Sequence, residues 1–195
     1  EAAVTLKQRG FDVVVFDKRD EIGGNLHVAK KPPFKGKFEW AIDYYKSMAK
    51  KLNITMKLGK EVTAQEVLAL KPYSILVATG SNVISIPLEG LDQVQTVQAH
   101  DVLANDMQFA NKKVVVIGGL ETALYINRQG TNQVSVVDML PEWPVDMLDM
   151  RYQNEALLEV RHCNDQGVAL FYNNKVVKFA DGKLFIESTK DGEVK

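Results

Sequence analysis

A repeat constrains this chain more than any other feature. "EAAVTLKQRGFDVVVFDK" begins at Glu1 and "ETALYINRQGTNQVSVVDM" begins at Glu121, 120 positions later (121 minus 1). Glu1 pairs with Glu121, Ala3 with Ala123 and Gly10 with Gly130; with one residue inserted, Asp17 pairs with Asp138. Each copy reads as an acid, a small residue, an apolar helix, a glycine stop, a valine-rich strand and a closing acid. Apolar β-branched runs of this kind are strands of a parallel sheet, buried on both faces. A helix between two such strands is a βαβ crossover. Two copies of it predict an α/β fold with two Rossmann-like three-layer βαβ domains, together with a β-meander.

The rest of the chain fits around the two copies. Apolar positions 38, 41, 42, 45, 48, 49 and 52 fall at helical spacing. "NITMKLG" alternates as a strand, and Thr63 with Glu66 is a capping box that opens a short helix to Leu70. "YSILVATG", 73–80, reads as a further buried strand, whereas "KRDEIGGNL" and "KKPPFKG" read as loops. A domain crossing is placed in "SNVISIPLEGL", so that residues 1–84 form one domain and 85–195 a second. Beyond it lie a short helix at 98–105, a strand at 112–117, a helix at 121–129 and a strand at 133–138. "MLPEWPVD" is loop. A helix over 150–165 puts Ala156, Leu157, Val160 and Cys163 on one face, and "KVVKFADGKLFIES" is a hairpin turning at Asp181-Gly182.

The repeat also carries a chemistry. In a nucleotide-binding βαβ unit the first strand delivers the chain to a glycine turn, where the backbone approaches a pyrophosphate closely. The next helix points its free N–H groups and positive dipole end at that anion. An acid ending the second strand accepts hydrogen bonds from the adenosine ribose, about 20 residues after the first glycine. Gly118 and Gly119 stand at the turn and Asp138 at the acid, 20 positions beyond Gly118 (138 minus 118); Asp17 holds the same place in the first copy. A full glycine loop is missing at the same point of both copies, which predicts that the native polypeptide carries residues there; an intact mass of 21.8 kDa would overturn this. Both ends read as cuts in a longer protein, since Glu1 lies inside a helix and Asp191-Gly192 opens a strand that does not finish.

Composition removes other classes. Net charge is -1 and no basic run reaches nucleic-acid-binding length. No apolar run approaches the roughly 18 residues of a membrane span, and "EAAVTLKQRG" reads as an amphipathic helix and not as a signal peptide. A single cysteine, Cys163, permits neither a disulfide framework nor a CxxC redox pair, and it reads as core; a cytoplasmic location fits. His27, His100 and His162 have no metal spacing and receive no role. Lys18 and Arg19 read as solvated charges, with phosphate contact as the alternative, and Phe38, Trp40, Tyr44 and Tyr45 as packing residues, with flavin stacking by one of them as the alternative.

The series "EAAVTLKQRGFDVVVFDKRDEIGGNL", "PPFK", "SILVATGS", "IP" and "VVVIGG…ETALYI…VSVVDMLPE" resembles the C-terminal domains of the NADH:flavin oxidoreductases with an Old Yellow Enzyme barrel at their N-terminus. That group includes 2,4-dienoyl-CoA reductase, 2-enoate reductase, trimethylamine dehydrogenase and related NADH oxidases. The resemblance implies a glutathione-reductase-type fold, with a flavin-type domain (1–84) and a nicotinamide-type domain (85–195) inserted in it, that takes electrons from NADH to FAD and hands them to a barrel holding FMN and a 4Fe-4S cluster, outside this sequence. It implies that Asp17 meets the adenosine ribose of FAD and that Gly23, Gly24 and Asn25 lie along its ribose and phosphates. Val62 approaches the adenine through its backbone, and Thr79 and Gly80 pass the flavin pyrophosphate. Gly118 and Gly119 start the nicotinamide-dinucleotide loop and Asp138 meets its ribose, an acid there favouring NADH over NADPH. No catalytic side chain is implied. The expected partners are the two nucleotides, the barrel of the same protein and a second copy of the chain. Two other readings stand beside this one: an ADP- or nucleotide-holding module without redox chemistry, and a diaphorase-type subunit feeding a partner protein.

Overall fold

The computed structural model describes residues 1–141 and 150–194, and side chains in 150–156 lie outside the description. The predicted loop 139–146 falls outside it from residue 142 on. The chain divides into two units, Glu1–Asn82 and Val83–Lys195.

The first unit runs α1 (Ala2–Gln8), β1 (Val14–Phe16), α2 (Leu26–Ala29), α3 (Phe38–Lys51), β2 (Thr55–Lys57) and α4 (Ala64–Ala69). β1 and β2 pair in parallel with Val15 opposite Met56. α1 stops at Arg9, and Gly10 follows at φ 87, the left-handed turn that a glycine takes without steric cost. α3 lays Ile42 inward at full burial, and with Val4 of α1 and Ile54 before β2 it makes the unit's buried core. The capping box of α4 is complete: Thr63 Oγ1 accepts from the Glu66 N–H at 3.3 Å and Glu66 Oε2 accepts from the Thr63 N–H at 2.9 Å.

Two expectations fail in this unit. Residues 73–80 form no strand, and their side chains face outward, Tyr73 at 98% and Val77 at 77% exposure. An apolar β run becomes a strand only when a neighbour satisfies its N–H and C=O groups, and among the described residues no strand pairs with this one. The loop "KRDEIGGNL", in turn, ends in a short helix: Leu26 N–H bonds Gly23 C=O at 2.9 Å and Ala29 N–H bonds Asn25 C=O at 2.9 Å, which starts α2 directly after the glycines.

The second unit contains α5 (Ala99–Ala104), β3 (Lys113–Ile117), α6 (Leu120–Asn127), β4 (Gln133–Val137), α7 (Met150–Asp165), β5 (Ala169–Phe171), β6 (Asn174–Ala180) and β7 (Lys183–Ser188). β3, β4 and β5 form a parallel sheet in that order, with Val116 beside Val136 and Val136 beside Leu170. α6 and α7 pack against each other over this sheet. Their inner faces give the core: Val116, Leu120, Ala123, Leu124, Ile126, Val134, Val136, Cys163 and Val168. Cys163 is fully buried as expected, whereas Leu157, expected on the same face, is 47% exposed. β6 and β7 form the predicted hairpin, turning at Asp181 (φ 51) and Gly182 (φ 72), the pair of positive φ values of a two-residue hairpin turn. This is the mixed α/β, Rossmann-like dinucleotide-binding fold that the repeat announced.

Candidate functional site

The two repeat acids sit in matching backbone geometry. In the first unit the Asp17 N–H donates to Lys57 C=O at 3.2 Å, and the Lys60 N–H donates back to Asp17 C=O at 3.0 Å. Asp17 Oδ1 accepts the Arg19 N–H at 3.0 Å, and the Gly59 N–H donates to Arg19 C=O at 2.6 Å. In the second unit the Asp138 N–H donates to Phe171 C=O at 3.0 Å and the Asn174 N–H to Asp138 C=O at 3.0 Å. Asp138 Oδ1 accepts the Leu140 N–H at 3.0 Å, and the Asn173 N–H donates to Leu140 C=O at 2.8 Å. Four hydrogen bonds thus recur at equivalent atoms. Gly59 (φ 66) and Asn173 (φ 56) also share the left-handed turn that follows the neighbouring strand. Each acid spends one carboxylate oxygen on the backbone two residues ahead, an Asx turn. Among the described residues no hydrogen bond occupies the other oxygen, which leaves it able to accept one.

The glycine turn after Asp17 is built by side chains. Gly24 (φ 51) has open space where a side chain would stand, and its C=O accepts Arg19 Nη1 at 2.9 Å. Gly23 (φ 121) is glycine for a packing reason, since a Cβ there would stand 2.7 Å from His27 Nε2 and 3.3 Å from Ile42 Cγ1. His27 Nε2 lies 2.9 Å from Ile22 C=O and 3.4 Å from Glu21 Oε1. Glu21 in turn meets Lys46 of α3 at 2.9 Å, and that ammonium holds the Glu21 carboxyl below its usual range. The turn is therefore tied on one side to the loop after Asp17 and on the other to α3. Arg19 is not the solvated charge that its sequence context indicates, and His27, given no role from the sequence, fills the space that Gly23 leaves. A charged residue beside a glycine pair was the available signal for both.

The remaining predicted residues stand as follows. Asn25 caps α2 and is exposed; Val62 is half-buried between β2 and α4. Thr79 and Gly80 end the exposed 73–80 segment, Gly80 at φ 83, and no hydrogen bond recorded among the described residues joins them to the Asp17–Gly24 loops. Gly118 (φ 68) and Gly119 (φ 76) connect β3 to α6 in two residues. The first helical bond is Ala123 N–H to Gly119 C=O at 3.3 Å, so the N–H groups before it face outward from the helix end. Ala123 is fully buried, the close helix–strand approach for which such a unit uses a glycine or alanine. Leu120 stands where a second loop glycine is expected and turns its side chain into the core at 4% exposure. The second turn thus keeps the helix end and the acid and lacks the wide loop.

These features fit a dinucleotide: an acid with one open oxygen in each unit, the Gly23–Gly24 backbone without side chains in the first, and two glycines leading into a helix end in the second. A hollow of about 300 Å³ elsewhere in the first unit is lined by Asp20, Glu21, Ile22, Lys46, Ile54 and Met56 among others, and none of the candidate residues lines it. Burial pushes the Cys163 thiol up to about 11, which removes it from thiolate chemistry. Among the described residues no group of His, Cys, Asp and Glu side chains is placed to hold a metal, and no helix is long and apolar enough to cross a membrane.

Residues 1–195 match the pyridine nucleotide-disulphide oxidoreductase family. The chain belongs to that family. It is 33% identical over 154 residues to an NADH oxidase of Thermoanaerobacter brockii, covering 75% of this chain and 24% of the relative. It is 36% identical over 146 residues to a bilirubin reductase of Mediterraneibacter gnavus, covering 73% and 22%. A solved 2-naphthoyl-CoA reductase superposes with a TM-score of 0.81 at 26% identity, over 99% of this chain and 29% of that one. The resemblance drawn from "EIGGNL" and "ETALYI" to flavoprotein reductases of the Old Yellow Enzyme type is borne out. The chain spans about a quarter of the length of the relatives it matches. Despite the family's description, a lone buried cysteine leaves no disulphide pair within this sequence.

Proposed function

We propose that this chain is the nucleotide-binding part of an NADH-dependent flavin oxidoreductase, the first unit holding FAD and the second NADH. The observation that carries the reading is the twin acid turn, with the same four hydrogen bonds around Asp17 and Asp138. Bound FAD supplies the two-electron acceptor chemistry that no side chain of this sequence offers. The chain's own residues bind and orient. Asp17 accepts from one ribose, the Gly23–Gly24 backbone and Asn25 lie along the ribose and phosphates, Val62 approaches the adenine through its backbone, and Gly118 and Gly119 deliver a second anion to the end of α6. Thr79 and Gly80 are proposed to close on the flavin side. In the full-length protein an FMN- and 4Fe-4S-bearing barrel would take those electrons onward for reduction of an unsaturated acid or acyl thioester. The relatives' names, an NADH oxidase and a CoA-ester reductase among them, support that direction of flow.

Asp138 sets the nicotinamide choice. A carboxylate at the ribose repels a 2′-phosphate, so NADH is favoured over NADPH. Full-length protein is expected to carry flavin absorbance near 450 nm (about; a property of the cofactor) and to reduce a dye with NADH. Asp138→Ala is expected to raise the KM for NADH by about tenfold or more, the loss of a charge-assisted hydrogen bond, and to narrow the preference over NADPH. Unchanged kinetics would refute the assignment. Leu120, buried where a loop glycine is expected, favours a second reading, a module that holds ADP without redox work; colourless protein that still binds ADP would select it.

A further inference from the structure

Arg19 joins three segments at once. Its N–H is held by Asp17 Oδ1 at 3.0 Å, its C=O accepts the Gly59 N–H at 2.6 Å, and its guanidinium reaches Gly24 C=O at 2.9 Å. The equivalent residue of the second unit, Leu140, repeats the two backbone bonds and has no side chain able to make the third. The third bond is thus particular to the first unit. It spans the two loops that the proposed FAD site needs in register, the acid loop after β1 and the glycine turn before α2.

From this we infer that Arg19 is the positioning residue of the first dinucleotide site: it fixes the Gly23–Gly24 turn against the Asp17 carboxylate before any ligand arrives. The inference rests on the reading of the first unit as a nucleotide site. A glycine pair at φ 121 and φ 51 is among the least constrained stretches a chain can hold, and ordering it on binding costs affinity. A charge-assisted bond from a half-buried guanidinium to Gly24 C=O orders it in advance. The same bond fixes the direction of the Arg19 main chain, and so the Asx turn that leaves Asp17 one open carboxylate oxygen. Arg19 and Asp17 therefore act as one unit, and Arg19 contributes through Asp17 and the turn and not by touching phosphate.

The test uses the full-length protein stripped of flavin, with ADP followed by calorimetry and adenosine by saturation-transfer NMR. Arg19→Gln is expected to weaken both ligands by about tenfold, the value of one charge-assisted hydrogen bond, and to speed amide hydrogen exchange at residues 23–27 in the ligand-free protein. In a cycle with Asp17→Asn, the double variant is expected to bind no more weakly than Asp17→Asn alone. Arg19→Lys, which keeps a cation in reach of Gly24 C=O, is expected to recover part of the loss. Weakening of ADP with adenosine unchanged would overturn the inference in favour of direct phosphate contact, as would additive losses in the cycle or unaltered exchange at 23–27. Wild-type protein that binds neither ADP nor adenosine would instead refute the nucleotide reading of the first unit.

Discussion

At the residue scale, single polar side chains hold loops that the sheets do not reach. Asn132 is buried, accepts the Lys112 N–H at 3.1 Å, and donates to Phe109 C=O at 2.9 Å and Ile126 C=O at 3.4 Å. Gln129 adds a second stitch, accepting the Phe109 N–H at 2.7 Å and donating to Met107 C=O at 2.9 Å. Together they hold residues 107–111 on their way into β3, ahead of the first bond to β4, from the Gln133 N–H to Lys112 C=O at 2.8 Å. Truncating Asn132 leaves buried backbone groups unpaired, and each such group costs about 1–3 kcal/mol. Asn132→Ala is therefore expected to destabilise the second unit by about 2 kcal/mol, read as a shift of the urea midpoint with the slope unchanged. A shift below about 0.5 kcal/mol, the range of ordinary surface substitutions, would show that water replaces the side chain. Arg19 and His27 make the same point near the glycine turn. Their partners are carbonyls, and no composition rule names the carbonyl to which a charged side chain will reach.

At the scale of elements, legibility follows whether an element is specified by its own residues. α4 was readable because Thr63 and Glu66 cap it locally, and the β6–β7 hairpin because Asp181-Gly182 supplies the turn. The 73–80 strand was misread because "ILVA" specifies strand propensity and not the partner that a strand needs. α2 escaped because a glycine pair signals a loop, although the second glycine here lies just before the helix cap at Asn25. The cap of α4 also carries a pH dependence. The Thr63 backbone N–H, then Lys60 at 3.0 Å and the Thr63 hydroxyl, bring the Glu66 carboxyl down to about 2 from 4.5. Because the folded value is depressed, the stabilisation is complete above the unfolded value of 4.5. It fades as pH falls toward about 2. Amide protection in α4 is expected to decline across that window before the rest of the first unit responds. In Lys60→Ala the Glu66 carboxyl, followed by carbon NMR, is expected to titrate still well below 4.5, because the backbone donor remains. A return to 4.5 would make Lys60 the main cause.

At the scale of the whole molecule, the repeat was legible because it is written twice, and each copy checks the other: Asp17 and Asp138 were read as equivalent and make equivalent bonds. What a linear pattern does not carry is which apolar surfaces the chain covers by itself. Tyr73, Ile75, Leu76 and Val77 fall within five residues and are 98%, 47%, 64% and 77% exposed, a cluster larger than scattered surface residues explain. None of these side chains belongs to the buried core of either unit. Two consequences follow together. The isolated chain is expected to bind an apolar dye such as anilinonaphthalene sulfonate while folded, and Leu76→Lys with Val77→Lys is expected to lower that fluorescence. The same pair is expected to leave the urea midpoint within about 0.5 kcal/mol of the parent, because charges placed on a surface segment remove no packing. A large fall in the midpoint with the pair in place would show that 73–80 is packed in solution, and the strand read from "YSILVATG" would then be restored.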